Sequence, residues 1–200
     1  MFGSVRTPAL REVNEVPGLH IVTNLITPSQ EQALLRAVDG EQWLSTLHRR
    51  TQHYGYEYDY RTRNLPRRLG VLPEWSNAVV DALVDMGALL GPPHPRPNQL
   101  IVNEYQPGQG ISAHTDSNVF LSPIVSVSLG SQCLMHFNKG SVSRDIELPT
   151  CSAVILTGES RNTWQHSIVG RKSDLIQGSK RLRGRRVSLT FRYVREGLND

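Results

Sequence analysis

The second half of the chain is a series of short β-rich segments separated by turn-forming residues, and this feature constrains the fold most. From residue 98 onward, runs rich in Val, Ile, Leu, Phe and Thr alternate with clusters of Pro, Gly, Asn and Ser. Such punctuation is typical of strands joined by turns. The runs are 100–105, 123–129, 133–137, 145–148, 153–157 and 187–194. Many evenly spaced short strands predict an antiparallel sandwich or jelly roll.

Two helices are predicted upstream of these strands. Thr27 as N-cap, Pro28 at the first helical position and Gln30 in a capping box start a helix that runs to about Val38. A second helix follows from an apolar stripe with a spacing of three or four. The stripe consists of Trp75, Val79, Leu83, Met86 and Leu90. The predicted fold class is therefore α+β or mainly β, a jelly roll with N-terminal helices packed on one sheet, with the Pro-rich stretch 91–97 between helix and strand.

The length and the hydropathy pattern suit one soluble domain over residues 1–200. No run approaches the roughly 20 apolar residues of a membrane helix, so we expect no membrane association. Residues 1–8 lack the apolar core of a signal peptide, and we expect a cytoplasmic monomer, with the nucleus as second location. Cys133 and Cys151 lie in apolar segments and are expected to be buried, reduced thiols.

The positive charge comes almost entirely from arginine. The formal net charge is +4, and 19 of the 22 basic residues are Arg. The planar guanidinium fork matches carboxylates and phosphates. This composition permits an acidic partner such as nucleic acid but does not require one.

One pair of residues has the spacing of metal ligands. His114 and Asp116 are two residues apart, so their side chains project to one side of an extended segment. His166 follows an apolar strand and is the candidate for a third ligand. Two His and one carboxylate form the facial triad of non-haem Fe(II) oxygenases. Taken alone the pair is weak evidence, because a given His is more often a hydrogen-bonded structural residue.

The C-terminal strand carries a polar face with two arginines. Arg186, Ser188, Thr190 and Arg192 alternate with apolar residues and share one side of the strand. This face either is solvated, as in a half-buried sheet, or lines a cavity that holds an anion. In the second case the two guanidinium groups could hold both ends of a dicarboxylate. Asn103 and Tyr105 are also two residues apart on a predicted strand and could face the same cavity.

The ordered combination of motifs resembles the AlkB family of Fe(II)- and 2-oxoglutarate-dependent dioxygenases. The resemblance covers about residues 98–195, the predicted catalytic core, and is closest to the AlkB domain of the hydroxylases of tRNA wobble uridines. Its motifs are NEYQPGQGISAHTD, PIVSVSLGS, SAVILTGESRNTWQHSI and RVSLTFR, with PGLHIVTNLITPSQEQALL upstream. The fold that the resemblance implies is a double-stranded β-helix.

The resemblance also implies cofactors and site residues. Fe(II), 2-oxoglutarate and O2 would take part in the hydroxylation or oxidative demethylation of a substrate. The implied Fe(II) ligands are His114, Asp116 and His166. The implied contacts with 2-oxoglutarate are Asn103 and Tyr105 by hydrogen bonds, Arg186 at the distal carboxylate and Arg192 at the end nearer the metal.

A segment rich in Tyr and Arg, about 48–70, is the candidate substrate site. Its tyrosines at 54, 56, 58 and 60 share one face if the segment is extended, and a base can stack on such rings. In the AlkB family a segment at this place forms the lid over a flipped nucleotide. Equally, it could be a hairpin packed on the sheet with a solvated rim of Arg. The residues assigned to substrate are Arg49, Arg50, Tyr54, Tyr56 and Tyr58.

Nine arginines support a nucleic-acid partner. They lie in the lid-like segment and before the last strand, at positions 49, 50, 61, 63, 67, 68, 181, 183 and 185. We therefore expect a modified base in RNA, including tRNA, or in single-stranded DNA as substrate. Two alternatives stay open: the same chemistry on a protein side chain or small molecule, and a binding module without turnover.

Overall fold

The computed structural model describes residues 7–65, 67–89 and 96–194, and strands dominate it. In chain order the strands are β1 (Ala9–Glu12), β2 (Leu19–Thr23), β3 (Thr51–Tyr54), β4 (Gln99–Tyr105), β5 (Ile111–His114), β6 (Phe120–Leu129), β7 (Cys133–Lys139), β8 (Val142–Leu148), β9 (Ser152–Leu156), β10 (Gln165–Ile168), β11 (Ser173–Ile176), β12 (Ser179–Leu182) and β13 (Arg186–Val194). Each of the six strand-forming runs of the sequence lies in one of these strands, apart from one terminal residue, Thr157.

The strands form two antiparallel sheets and a hairpin. The large sheet has the order β1-β2-β9-β6-β13-β4-β3, and the small sheet has the order β5-β10-β7-β8. Strands β11 and β12 pair only with each other. The crossed strand order is that of a double-stranded β-helix, which confirms the predicted fold class.

The helices lie before and within this β-structure. Helix α1 (Pro28–Asp39) has the predicted capping box, with Gln30 N donating to Thr27 Oγ1 at 3.2 Å and Thr27 N donating to Gln30 Oε1 at 2.8 Å. Helix α2 (Asn77–Asp85) follows a 3-10 turn, Glu74–Ser76, and is shorter than predicted. It ends before Gly87, which has a left-handed φ of 67°. The predicted continuation at Leu90 and most of the Pro-rich stretch lie outside the described residues.

Two apolar cores flank the large sheet. One lies between that sheet and the helices, and it contains Leu34 and Leu83 from the helices with Leu189 and Phe191 from β13. The helices therefore pack on one sheet, as predicted. The other core lies between the two sheets. Because side chains alternate along a strand, Arg186, Ser188, Thr190 and Arg192 face the space between the sheets.

Two further features of the described chain bear on the predictions. Cys133 and Cys151 are both buried and form no disulfide. In the described residues, no helix has the length and hydropathy needed to cross a bilayer.

Candidate active site

The pairing of β5 with β10 brings the two predicted histidine ligands together. His114 lies opposite His166 in the antiparallel register, and their ring centroids are 4.4 Å apart. Asp116 follows β5, and its Oδ2 lies 3.7 Å from His166 Nε2. His114 Nδ1 is 2.8 Å from the carbonyl oxygen of Ser112. A histidine that donates its Nδ1 proton in this way presents the Nε2 lone pair to a metal.

These three side chains lie close together, but they do not have the geometry of a preformed metal site. One oxygen of Asp116 is bound by Arg192, whose Nη2 and Nε donate to Oδ1 at 2.8 Å and 3.2 Å. In the part of the chain that the structure describes, no three His, Cys, Asp or Glu side chains have the spacing of a preformed ion site. The donor set is that of the 2-His-1-carboxylate triad, and its role as Fe(II) ligand stays a prediction.

Electrostatics and burial keep Asp116 and His166 in the protonation states that bind a metal. Burial favours the neutral acid of Asp116, but the charges of Arg192 and His166 outweigh this and hold its pKa well below the ordinary value. Burial lowers the pKa of His166 to about 4, although Asp116 opposes the shift. At neutral pH the carboxylate is therefore charged and the imidazole is neutral, as a metal ligand requires.

The polar face of β13 lines a cavity between the two sheets, which we call the inner cavity. Arg186 and Ser188 on β13 are paired with Tyr105 and Asn103 on β4, and all four line this cavity. His114, Asp116 and His166 lie on its wall. The alternative of a solvated outer face is therefore wrong, because the other side of the strand packs in the helix core and this side is enclosed.

Arg186 is a buried guanidinium whose charge has no partner among the described residues. Arg186 is only 3% exposed, and its Nη2 donates to Ser128 Oγ at 2.8 Å. Nε and Nη1 are buried and have no hydrogen-bond partner. Because unpaired buried donors are costly, this site fits an anion such as a carboxylate. The guanidinium carbon of Arg186 lies 5.4 Å from the centroid of the Tyr105 ring. Burial raises the pKa of the Tyr105 phenol, so the hydroxyl group keeps its proton and remains a hydrogen-bond donor.

Arg192 contacts protein groups at the other end of the inner cavity. Besides Asp116, it donates from Nη1 to Gln99 Oε1 at 3.2 Å. The structure therefore assigns Arg192 to the orientation of the Asp116 carboxylate. Its contact with the end of 2-oxoglutarate nearer the metal stays a prediction.

A second cavity of about 440 Å³ lies outside the first, and we call it the outer cavity. The lid-like segment forms one wall of it, with Arg49, Tyr58, Tyr60 and Arg63. The opposite wall contains His114, Asp116, Asn103 and Arg192, which also line the inner cavity. The two cavities therefore meet at His114 and Asp116, two of the three predicted metal ligands, which suits a cosubstrate inside and a substrate outside.

The tyrosines of the lid-like segment do not share one face, which corrects the sequence-based prediction. Tyr54 faces the helices, with its ring edge-on to Trp75 at 5.9 Å and its hydroxyl donating to Gln52 Oε1 at 3.1 Å. Gly55 then takes a left-handed φ of 78°, which ends the extended backbone. Tyr56 packs on the core between the sheets. Of the tyrosines assigned to substrate, only Tyr58 lines the outer cavity.

The two neighbouring arginines also separate. Arg49 lines the outer cavity and donates from Nε to Asn103 Oδ1 at 2.8 Å. Arg50 points to the other side of the sheet edge, where it binds Glu104 through two nitrogens at 2.7 Å and 2.8 Å and lies 4.7 Å from the Trp43 ring centroid. Its assignment to substrate is therefore corrected: Arg50 belongs to a structural ion network.

Three residues of the site were not assigned from the sequence. Tyr60 and Arg63 line the outer cavity, and both lie in the run that already attracted attention. Arg161 lies in helix α3 (Gly158–Asn162), where it is buried and donates to the carbonyl oxygens of Asp116, Ser117 and Phe120. It holds the loop that carries Asp116. Its only sequence signal is its place in the TGESR motif.

Comparison with known proteins identifies the family. The sequence profile of the 2OG-Fe(II) oxygenase superfamily matches residues 18–192. The chain belongs to this superfamily. The oxygenases of this superfamily use Fe(II), 2-oxoglutarate and O2, as the resemblance implied.

The relatives of this 2OG-Fe(II) oxygenase include AlkB homologues. The chain is 36% identical over 208 residues to the alkylated DNA repair protein ALKBH8 homolog of Arabidopsis thaliana, and 35% identical over 207 residues to the tRNA (carboxymethyluridine(34)-5-O)-methyltransferase ALKBH8 of Mus musculus. Each match covers 90% of this chain but only 59% and 31% of the relative. These matches confirm the resemblance to the AlkB family.

Two further matches extend over nearly the whole length of both proteins. The uncharacterized protein L905 of Acanthamoeba polyphaga mimivirus is 32% identical and matches over 92% of this chain and 89% of its own length. The solved structure of OsALKBH1 superposes with a TM-score of 0.69, covering 92% of this chain and 100% of that one at 18% identity. This likeness shows that the two proteins share the fold.

Proposed function

We propose that the protein is an Fe(II)- and 2-oxoglutarate-dependent dioxygenase that hydroxylates or oxidatively demethylates a modified nucleobase in RNA or single-stranded DNA. One observation carries the proposal: Arg186 directs two unpaired buried donors into a cavity whose wall carries His114, Asp116 and His166. An enclosed carboxylate site beside a metal triad is what a bound 2-oxo acid requires. The names of the mouse and Arabidopsis relatives refer to tRNA uridine and to alkylated DNA, which supports a nucleobase as substrate.

The inner cavity has the chemistry to hold 2-oxoglutarate. Arg186 pairs with the distal carboxylate, while Tyr105 and Asn103 supply hydrogen bonds from β4. His114, Asp116 and His166 would hold Fe(II), which together with 2-oxoglutarate and O2 would supply the oxidation of a C–H bond. Arg192 keeps the Asp116 carboxylate in place and charged.

The remaining residues of the site admit the substrate and exclude water. Apolar side chains surround the inner cavity and limit side reactions with solvent; they are Ile111, Ile124, Met135, Val154, Leu156 and Ile168. In the outer cavity, Tyr58 and Tyr60 stand edge to face at 5.1 Å and offer aromatic surfaces to a base. An N-methyl carbon that gains a hydroxyl group leaves as formaldehyde, because the C–N bond breaks and the nitrogen takes the hydroxyl proton. An ordinary carbon keeps its hydroxyl group as an alcohol.

The test is a mass-resolved screen of methylated single-stranded oligonucleotides and wobble-modified tRNA, with purified protein, Fe(II) and 2-oxoglutarate. We expect a substrate whose mass changes in step with succinate release. His114→Ala should abolish both. A matched control is His136→Ala, because His136 also pairs with a carboxylate, Asp145 at 2.8 Å, but is half-buried on β7 and lines neither cavity. Full turnover by His114→Ala would refute the triad assignment.

The same screen separates the alternatives. Turnover of a peptide or a small molecule, with none of any nucleic acid, would replace the substrate class and keep the chemistry. Absence of succinate release with every substrate would favour a binding module without turnover.

A further inference from the structure

The outer cavity contains more positive charge than the described residues neutralise. Arg49, Arg63 and Arg192 line it, and Asp116 is the one carboxylate residue described on its wall. Asp116 is already paired with Arg192. Within the described chain, no ion pair is formed by Arg49 or Arg63. A cavity beside the predicted reaction centre therefore presents two guanidinium groups without counter-charges.

Elsewhere in the described chain, six guanidinium groups pair with carboxylates. Glu104 pairs with Arg50 and Arg185, and Asp174 pairs with Arg171 and Arg183. Two of these pairs lie at exposed side chains, Arg67 with Glu57 and Arg96 with Asp81. The two unpaired arginines of the outer cavity thus differ from six others in the described chain.

Arg49 is held in place by groups that belong to both cavities. Its Nε donates to Asn103 Oδ1 at 2.8 Å, and its guanidinium carbon lies 5.5 Å from the Tyr60 ring centroid and 5.9 Å from that of Tyr105. The bond to Asn103 uses one of the five N–H donors of the fork. The orientation is therefore fixed while other donors stay available at the cavity wall.

Arg63 is held at the rim by an unusual backbone conformation. Its φ is 57°, in the left-handed region that residues other than glycine rarely adopt. Its amide donates to Asp59 O at 2.8 Å, its carbonyl accepts from Ser117 Oγ at 2.9 Å, and its Nη2 donates to Thr115 O at 2.8 Å. These bonds tie the arginine to the loop that carries Asp116. Backbone outliers held in this way concentrate at ligand sites.

We propose that Arg49 and Arg63 bind an oxyanion of the substrate in the outer cavity. The anion is either a phosphate of the nucleotide or a carboxylate on the modified base, since both match the guanidinium fork. This inference rests on the proposed function, because it takes the substrate to be a nucleotide. Arg49 and Arg63 would therefore make the protein bind an acidic substrate more tightly than a neutral one.

The test measures equilibrium binding of three probes to the full chain, without metal, by calorimetry at low salt. The probes are uridine, uridine 5′-monophosphate and 5-carboxyuridine. We expect at least one anionic probe to bind about ten-fold tighter than uridine, as one charge-assisted hydrogen bond provides. The probe that gains affinity identifies the source of the anion: the monophosphate a backbone phosphate, and 5-carboxyuridine a carboxylate on the base.

Variants assign the preference to the residues. Arg49→Gln should reduce the ten-fold preference to about two-fold or less, and Arg49→Lys should retain part of it. Arg61→Gln is the matched control, because Arg61 lies exposed in the same segment, outside the cavity, and the substitution removes the same charge. If Arg49→Gln does not fold, as judged by its melting temperature, Arg63→Gln takes its place with the same expectation.

Four results would overturn the inference: equal affinity for all probes, no binding of any probe, an undiminished preference in Arg49→Gln, or an equal loss in Arg61→Gln. The oxygenase assay is independent of these results. Turnover of a modified oligonucleotide without any anion preference overturns this inference and leaves the proposed function. A preference for an anionic probe that depends on Arg49, without turnover of any substrate, leaves the anion site and overturns the proposed function.

Discussion

At the scale of single residues, Arg186 has the sharpest consequence. Its guanidinium is buried with two unpaired donors, so the ligand-free protein carries an uncompensated charge. Replacing such a group with a hydrophobic side chain of similar length commonly leaves stability unchanged or raises it. Arg186→Met should therefore fold, with a melting temperature in the absence of ligands equal to or above that of the wild type.

The same substitution should weaken the 2-oxoglutarate site. We expect Arg186→Met to raise the KM for 2-oxoglutarate at least ten-fold, because the distal carboxylate loses its charged partner. Succinate release at varied 2-oxoglutarate measures this, and calorimetric binding of 2-oxoglutarate checks it without turnover. Arg181→Met, on exposed strand β12, is the control. A KM equal to that of the wild type would show that Arg186 does not hold the cosubstrate.

The buried imidazole of His53 should make the free energy of unfolding depend on pH. Burial lowers its pKa to about 4, against about 6.5 in an unfolded chain. Between these values the unfolded state binds a proton that the folded state does not, so the free energy of unfolding falls as the pH drops through this window. The expected loss from this residue is about 1–2 kcal/mol between pH 7 and pH 5.

The substitution His53→Asn isolates this effect. His53 Nδ1 accepts the amide of Tyr58 at 3.2 Å, and Asn can place its side-chain oxygen at the same point. Urea unfolding of the metal-free proteins at pH 7 and pH 5 should show a smaller loss in the variant, because His166 contributes equally to both. An identical loss in the two proteins would contradict the assignment to His53.

The sequence predicted the shared placement of the proposed cofactor residues better than that of the proposed substrate residues, for a geometric reason. The spacing of His114 with Asp116, and of Arg186 with Arg192, places each pair on one side of a strand whatever the register. Arg49 and Arg50 are adjacent and therefore point to opposite sides. Tyr54 and Tyr58 are separated by the left-handed Gly55. The sides to which Tyr54 and Tyr58 point depend on where β3 ends, and the periodicity of the sequence does not show that end.

At the scale of elements, the contact between β5 and β10 sets the position of the histidines. Gly110 precedes β5, and a Cβ atom there would overlap the carbonyl oxygen of Ile168, the last residue of β10. Gly110→Ala should therefore push the two strands apart and move His114 away from His166. We expect the affinity for Co(II), used here as a probe of the predicted metal site, to fall at least ten-fold. The melting temperature should also fall.

Gly184→Ala serves as the control for this prediction. A Cβ at Gly184 would meet its nearest neighbour, the Ser131 side chain, at 3.6 Å, an ordinary contact. This variant should bind Co(II) as the wild type does. Unchanged Co(II) affinity in Gly110→Ala would mean that the ligands adjust independently of the strand contact.

Local signals predicted some elements and not others. The capping box of α1 appears in the sequence because its two hydrogen bonds join residues only three positions apart in the chain. Strands β1 and β12 are exposed along their whole length, so they carry no apolar alternation that a reader could detect. Helix α3 has five residues and depends on contacts with the chain around Gly18, which no local pattern reveals.

At the scale of the whole molecule, part of the positive charge is neutralised by carboxylates within the fold. Of the nine arginines that supported nucleic-acid binding, four form ion pairs with carboxylates: Arg50, Arg67, Arg183 and Arg185. The other five form no ion pair in the described chain: Arg49, Arg61, Arg63, Arg68 and Arg181. Their number limits how many phosphates this set can neutralise.

This count predicts the salt dependence of binding to a single-stranded oligonucleotide. Each neutralised phosphate contributes about −0.7 to the slope of log K against log salt, so five arginines give a slope no steeper than about −3.5. Fluorescence anisotropy over a series of salt concentrations measures the slope. Arg63→Gln should make it shallower by about 0.7, whereas Arg50→Gln should leave it nearly unchanged, since Arg50 is occupied by Glu104. A slope much steeper than −3.5, or an equal effect of both variants, would show that the ion-paired arginines release Glu104 and its counterparts to bind phosphate.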